Sequence, residues 1–272
     1  MRRTATLGAM VLMLGIGLSG CGDDDKEPAA GTGGTTTTGG TSAAVATYCE
    51  DTLAAETVPE PDIDFESLSE EEQKEATKKF VNEEFKPIVE RLKKSVPAEI
   101  AAPAQVLFDA TDKIGADGDF SVFESDEVVA AEEKVHAYDL ANCGWEKVDS
   151  IGVEYAFQGI PATLEAGITS FEFRNDGKEL HEMRVLKKAD GVTESFDEIL
   201  ELEEEEGQQK VEQVASSFAS QAETDYAVAD LEAGDYLVVC FIPVGLTSEE
   251  AAPPEDSPPH FVRGMKTEFK VA

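Results

Sequence analysis

The chain has 272 residues, with 57 acidic against 22 basic side chains and a formal net charge of −35. A surface this acidic has no basic stripe with which to neutralise phosphates, which excludes nucleic acid as a partner. Solubility outside the cytoplasm accounts for the charge, and a cationic partner would be steered by it.

The N-terminus reads "MRRTATLGAMVLMLGIGLSGC", with Arg2 and Arg3, an apolar run from Ala5 to Leu18, and small residues before Cys21. This is the pattern of an export signal, too short for a stable membrane span. The ending "LSGC" resembles the lipobox of bacterial lipoproteins, which implies that Cys21 receives lipid and becomes the first residue of the mature protein. Residues 22–44, rich in Gly and Thr, have nothing to bury and read as a flexible tether. The expected location is outside the cytoplasm, lipid-anchored to the outer face of the cytoplasmic membrane, with that membrane as a partner through Cys21.

There are four cysteines: Cys21, Cys49, Cys143 and Cys240. With Cys21 lipidated, three remain in an oxidising compartment, and a disulfide uses two of them. Cys49 and Cys143 flank one helical segment and are the natural pair, so Cys240 is left as an odd thiol that calls for an explanation.

Residues 45–147 read as a small helical bundle. Ser69 with Glu72 makes a capping-box pattern, and Ala76, Phe80, Phe85, Ile88 and Leu92 follow at helical spacing, with Pro87 as a kink. A second helix is predicted over 97–114, carrying Ile100, Ala104, Leu107 and Ile114 and stopping at Gly115. A third begins after Ser125, with Val128, Ala131, Val135 and Tyr138 on one face. A Cys49–Cys143 bond would tie the entry strand of this bundle to its exit, worth roughly 4 kcal/mol in the chain-entropy model. His136 reads as a solvated or hydrogen-bonded helix residue, and "DGD" at 117–119 lacks the carboxylates of a calcium loop and reads as a turn. The bundle is expected to be a spacer or an interaction domain.

After Trp145 the texture changes to short alternating runs, "VEYAFQG", "TSFEFRN", "HEMRVLKK", "YAVADL", "DYLVVCFI" and "KTEFKVA", separated by turn residues. They predict an antiparallel β-sandwich over 148–272, interrupted by a helical insertion covering "ESFDEILELEEEEG" and "QQKVEQVASSFAS". The fold class is therefore α+β multidomain, a small helical bundle followed by a β-sandwich.

Within the sandwich, alternation puts His181, Met183 and Val185 on one face and Glu182 and Arg184 on the other. Tyr236, Val238, Cys240 and Ile242 share a face, so Cys240 points inward just before the strand breaks at Pro243. His260 and Met265 lie in the next loop. Singly, each has an ordinary explanation as core filler or turn residue. Together, two imidazoles, a thiolate and a thioether are a type 1 copper ligand set: soft sulfur favours Cu(I), and imidazole also suits Cu(II). That reading accounts for the odd thiol.

The segments "FEFRNDGKELHEM", "LEAGDYLVVCFIP" and "PPHFVRGMKTEFKV" resemble the copper-binding blocks of the cupredoxins, the blue copper proteins such as plastocyanin and halocyanin. The resemblance covers roughly residues 150 to 272, and the chain as a whole is similar to lipoproteins of actinobacteria. Asn175 and Gly177 correspond to the turn before the first histidine ligand, His181; Gly234 and Tyr236 lead to the cysteine ligand, Cys240; His260 and Met265 complete the set. The resemblance further implies that His260 lies nearest solvent, with Pro258, Pro259 and Phe261 forming an apolar patch for a redox protein partner. Two departures stand out. Glu182 occupies the position where the family usually has an asparagine that braces the cysteine loop, which predicts weaker support around the site. Nineteen residues separate Cys240 from His260, where the family has only a few.

These readings favour a membrane-tethered carrier of single electrons over an enzyme. A second copper centre would need more histidines than His136, and no Ser or Cys triad has a free histidine. A copper store lacks the expected Met-rich or His-rich tract. The alternative is a copper-free cupredoxin-like binding or structural module.

Overall fold

The computed structural model describes residues 43–59, 68–248 and 256–272. The export signal, the lipidation site Cys21, the tether up to residue 42 and the middle of the acidic Cys240–His260 segment lie outside the described residues.

Helices occupy the first part of the chain. Helix α1, Ala43–Glu56, buries Tyr48, Asp51 and Thr52. The sequence reading placed Cys49 on an entry strand; it lies on this helix instead. The buried face of α1 is partly polar, with Asp51 accepting from Arg91 Nε at 2.8 Å and from Ser95 Oγ at 2.8 Å, so apolar periodicity does not reveal it.

The Ser69–Glu72 capping box opens α2, Glu70–Phe80. A π-turn over Val81–Phe85 then leads into α3, Lys86–Ser95. The widened turn falls where Pro87 would otherwise clash with the preceding turn and leave a carbonyl without a donor, and it takes the place of a simple kink.

Helix α4, Ala101–Asp117, runs past Gly115 and ends at Gly118, which adopts a left-handed φ of 71°. The predicted stop at Gly115 is displaced because that glycine serves packing: Asn82 Nδ2 donates to its carbonyl at 2.8 Å, and an added Cβ would lie 3.1 Å from Asn82 Oδ1. Gly118 has the conformation that closes a helix at low steric cost. Helix α5 is Asp126–Asn142. Cys49 and Cys143 are disulfide-bonded with Cα atoms 5.4 Å apart, joining α1 to the end of α5. Such a bond belongs to an oxidising compartment. Among the described residues, no helix is long and apolar enough to cross a membrane.

Among the described residues nine strands follow: β1 Glu146–Val153, β2 Ala156–Gln158, β3 Thr163–Leu164, β4 Gly167–Asn175, β5 His181–Lys188, β6 Val211–Ala219, β7 Thr224–Leu231, β8 Gly234–Val239 and β9 Lys266–Val271. They form a four-stranded sheet in the order β2-β1-β4-β7 and a five-stranded sheet in the order β3-β9-β8-β5-β6. The sandwich is mixed rather than purely antiparallel, because β1 pairs in parallel with β4 and β3 with β9. Phe171, Phe173, Met183, Val185, Tyr236, Val238 and Phe269 meet between the sheets.

The insertion is only half helical. Short helices α6, Phe196–Leu200, and α7, Glu204–Gln208, precede β6, which pairs with β5 along its length. Residues 211–219, expected to be helical, bury Ala215, Ser217 and Ala219 at a period of two. Small inward residues after an acidic helical run disguise that alternation.

The helices pack on the outer face of the four-stranded sheet through His136. Its ring stacks on Tyr226 at 3.6 Å between centroids, and Nε2 lies 2.5 Å from Glu172 Oε1 and 3.3 Å from Ser170 Oγ. It is a buried, hydrogen-bonded residue, not a solvated one. At this junction burial raises four carboxyls: Glu56 and Glu132 to about 8, Asp139 to about 6, and Asp225 well above its ordinary range. Removing a carboxylate from water disfavours its charged form.

Candidate metal centre

The site is assembled at one end of the sandwich, where β5 begins and β8 ends. Asn175 is fully buried and organises the turn before β5: its Nδ2 donates to Glu179 O and to Ala219 O at 2.8 Å each, while its Oδ1 accepts from Gly177 N–H at 2.8 Å. Gly177 has a steric reason to lack a side chain, since a Cβ there would sit 2.5 Å from His181 Nε2.

Cys240 follows β8 directly, and the long segment after it returns through a two-stranded neck. Pro243 pairs with Pro259, Val244 N–H donates to Pro258 O at 2.9 Å, and His260 N–H donates to Ile242 O at 2.8 Å. Phe261 N–H closes on Cys240 O at 3.0 Å. The length of the excursion therefore does not set the distance between the ends. Backbone pairing at its base holds them together.

His260 opens a 3₁₀ turn, His260–Arg263, and Met265 stands just before β9. Its backbone is joined to both neighbours, with Cys240 N–H donating to Met265 O at 3.2 Å and Met265 N–H to His260 O at 3.2 Å. Met265 is fully buried in an apolar cluster with Leu180, Cys240, Ile242 and Leu246.

Three donor atoms converge. His181 Nδ1 lies 3.1 Å from His260 Nδ1, and Cys240 Sγ lies 3.3 Å from His260 Nδ1. The ligand atoms of all three residues fall within 4.8 Å of one another, and each residue has no exposed surface. His181 Nε2, on the far side of its ring, has no hydrogen-bond partner. Burial lowers both histidines, His181 to about 4 with the neighbouring His260 adding to the effect. Burial, reinforced by the charge of Glu182, holds the Cys240 thiol well above its ordinary range. Two neutral imidazoles and a thiol, all shielded from water and facing one point, suit a metal that replaces the thiol proton. The soft sulfur donors favour copper within that class.

One expectation about the surroundings is corrected. Glu182 does not leave the cysteine loop unsupported: its backbone N–H donates to Cys240 Sγ at 3.4 Å, and its carboxylate accepts from Phe241 N–H at 3.4 Å while pairing with Arg184. Its carboxylate thus braces the segment that follows Cys240. His260, like His181, has no exposed surface. Tyr155 packs over its ring at 5.0 Å and Glu179 accepts from its Nε2 at 2.9 Å, leaving the side chain fully buried. Pro258, Pro259 and Phe261 are only half-buried, Phe261 packs edge-on against Phe241, and Val262, 59% exposed, is the apolar residue at the surface. Sequence reasoning missed Tyr155, Glu154 and Glu179. Only Glu179 had a signal, its place two positions before His181; Glu154 and Tyr155 come from the distant turn between β1 and β2 and reach the site through the fold.

No protein-family model matches the chain, and no curated protein matches it. Solved structures do. The dithionite-reduced auracyanin of Roseiflexus castenholzii is 16% identical, with a TM-score of 0.30 over 46% of this chain and 96% of that one. Auracyanin A of Chloroflexus aurantiacus, described as a "blue" copper protein, is 19% identical, with a TM-score of 0.29 over 46% of this chain and 98% of that one. Rusticyanin of Thiobacillus ferrooxidans is 17% identical, with a TM-score of 0.29 over 47% and 78% respectively.

The described residues thus form an α+β chain, a two-sheet sandwich after a helical region, with a buried His–Cys–His cluster and a methionine beside it. The donor set is that of a type 1 copper centre.

Proposed function

We propose that this protein is an exported, membrane-tethered carrier of single electrons that holds one type 1 copper through His181, Cys240, His260 and Met265. The observation that carries the reading is the convergence of Cys240 Sγ and the two Nδ1 atoms at one buried point. When bound, copper supplies a one-electron Cu(I)/Cu(II) couple. The chain's own residues supply a frame that changes little between the two states. His181 is fixed by the Asn175 turn, Cys240 by the Glu182 N–H, and His260 by the neck of the excursion. Holding the ligands in place lowers the rearrangement that accompanies each transfer.

A partner redox protein is proposed to dock at this end of the sandwich, where Val262 offers an apolar contact two residues beyond His260. The acidity of the chain favours a partner with a cationic surface. The helical region, residues 45–147, is read as a spacer between this end and the tether, and lipid on Cys21 as the anchor. Replacing Cys21 with Ala should release the chain from membranes with both folded regions intact; continued tight retention would require another anchor.

The binding test is metal analysis after reconstitution with Cu(II) and removal of loose ions. One copper per chain is expected, falling to none in Cys240→Ser. A chain that stays metal-free with Cys240 demonstrably reduced would support the copper-free module instead.

A further inference from the structure

The residue that reaches His260 from outside the neck is Glu179, in the turn two positions before His181. Its backbone is anchored at both polar groups: its N–H donates to Glu154 Oε1 at 3.0 Å and its carbonyl accepts from Asn175 Nδ2 at 2.8 Å. Its carboxylate, 16% exposed, makes three contacts. One oxygen accepts from Tyr155 OH at 3.0 Å, and the other accepts from the Gly245 N–H and from His260 Nε2 at 2.9 Å. Gly245 belongs to the excursion between Cys240 and His260. One carboxylate thus holds the loop, the covering tyrosine and the histidine.

The chemistry of that contact is directional. An ionised carboxylate can only accept, so a neutral His260 must donate its Nε2 proton to it, and Nδ1 is then a bare lone pair. Nδ1 is the nitrogen that faces Cys240 Sγ and His181 Nδ1. Carboxylates that accept from the outer nitrogen of a metal-ligating histidine fix its tautomer and ring plane and raise its basicity.

We propose that Glu179 is a positioning residue, setting the Nε2–H tautomer of His260, aiming Nδ1 at the metal position, and biasing the site toward Cu(II) by its nearby negative charge. This rests on the copper reading above. The neck fixes the backbone of His260, and the Glu179 contact adds a hydrogen bond that selects which ring nitrogen carries the proton.

The test has two arms on the full chain. In the metal-free protein, long-range ¹H–¹⁵N correlation of the imidazoles should show His260 protonated at Nε2. Glu179→Gln, whose amide oxygen can still accept, should keep that tautomer, whereas Glu179→Ala should give a mixture of both. In the copper-loaded protein, the reduction potential of both variants should rise, with the preference for Cu(I) over Cu(II) increasing on the order of tenfold for loss of one nearby charge. A purely structural role would not separate the two variants in this way. Protonation of wild-type His260 at Nδ1, or a Glu179→Gln potential equal to that of wild type, would overturn the proposal. A wild-type chain that takes up no copper overturns the copper reading, and the tautomer arm then decides the clamp by itself.

Discussion

His181 and His260 meet edge to face, with ring centroids 4.9 Å apart and Nδ1 atoms 3.1 Å apart, although 79 positions separate them in the chain. A single proton between the two nitrogens satisfies that pair, and the Cys240 thiol, 3.3 Å from the same nitrogen of His260, competes for the same lone pair. Three buried donors crowded around one point are poorly served by hydrogen bonds alone and well served by an ion.

The ligands are expected to differ in what they contribute. Cys240→Ser should abolish tight copper binding, because a hard hydroxyl does not replace a thiolate. Met265→Leu should keep copper and raise the potential, since an axial thioether binds weakly and at long range. Equilibrium binding and voltammetry on the two variants check this. Equal loss of copper in both would mean that Met265 is a principal ligand.

The face that carries the donors was legible from the sequence, although burial itself does not alternate there, since Glu182, Leu237 and Val239 on the opposite face are buried too. The strands carrying His181 and Cys240 lie where the apolar alternation puts them, and both side chains are fully buried. What the sequence did not reveal depends on contacts between distant segments. The return of His260 rests on the Pro243–Pro259 and Val244–Pro258 pairing, and its burial on Tyr155 and Glu179. Strand β6 was hidden by small inward residues, and α1 by a buried face that carries Asp51 and Thr52. The parallel β1–β4 and β3–β9 pairings leave no local mark in composition.

Copper affinity should rise with pH. Burial keeps the Cys240 thiol protonated in the metal-free protein at neutral pH, so binding a metal releases that proton. Below the thiol's raised range, each unit of pH should strengthen Cu(I) binding about tenfold, from release of one proton. Competition titrations with a Cu(I) chelator at several pH values measure the slope. A pH-independent affinity above the titration of the histidines would mean that the thiolate is not the ligand.

The junction between helices and sandwich should weaken as the solution becomes alkaline. Burial raises Glu132 from 4.5 to about 8 and Asp139 from 3.8 to about 6, so the folded state holds protons that the unfolded chain has lost. Stability from these groups is fully present below about pH 4 and is lost as pH rises through about 8, with the linkage running from the folded to the unfolded proton affinity. Melting temperature should therefore fall between pH 6 and pH 9, and Glu132→Gln should flatten the decline. A steeper decline in that variant would contradict this origin.

Loss of the disulfide should be felt in the helical region alone. The bond spans a sequence separation of 94, and its removal in a Cys49→Ser, Cys143→Ser double variant should cost about 4 kcal/mol by the chain-entropy estimate. Calorimetry measures the loss, and copper binding in the same variant should be unchanged, because the donors lie on β5 and at the ends of β8 and β9.

The most direct measurement is the visible absorption spectrum during titration of the reduced, metal-free chain with Cu(II). A thiolate bound to copper in a site of this kind gives an intense charge-transfer band, so the solution should turn blue and saturate at one copper per chain, and Cys240→Ser should stay colourless under the same conditions. A wild-type chain that remains colourless in excess Cu(II), with Cys240 still titrating as a free thiol, would contradict the account.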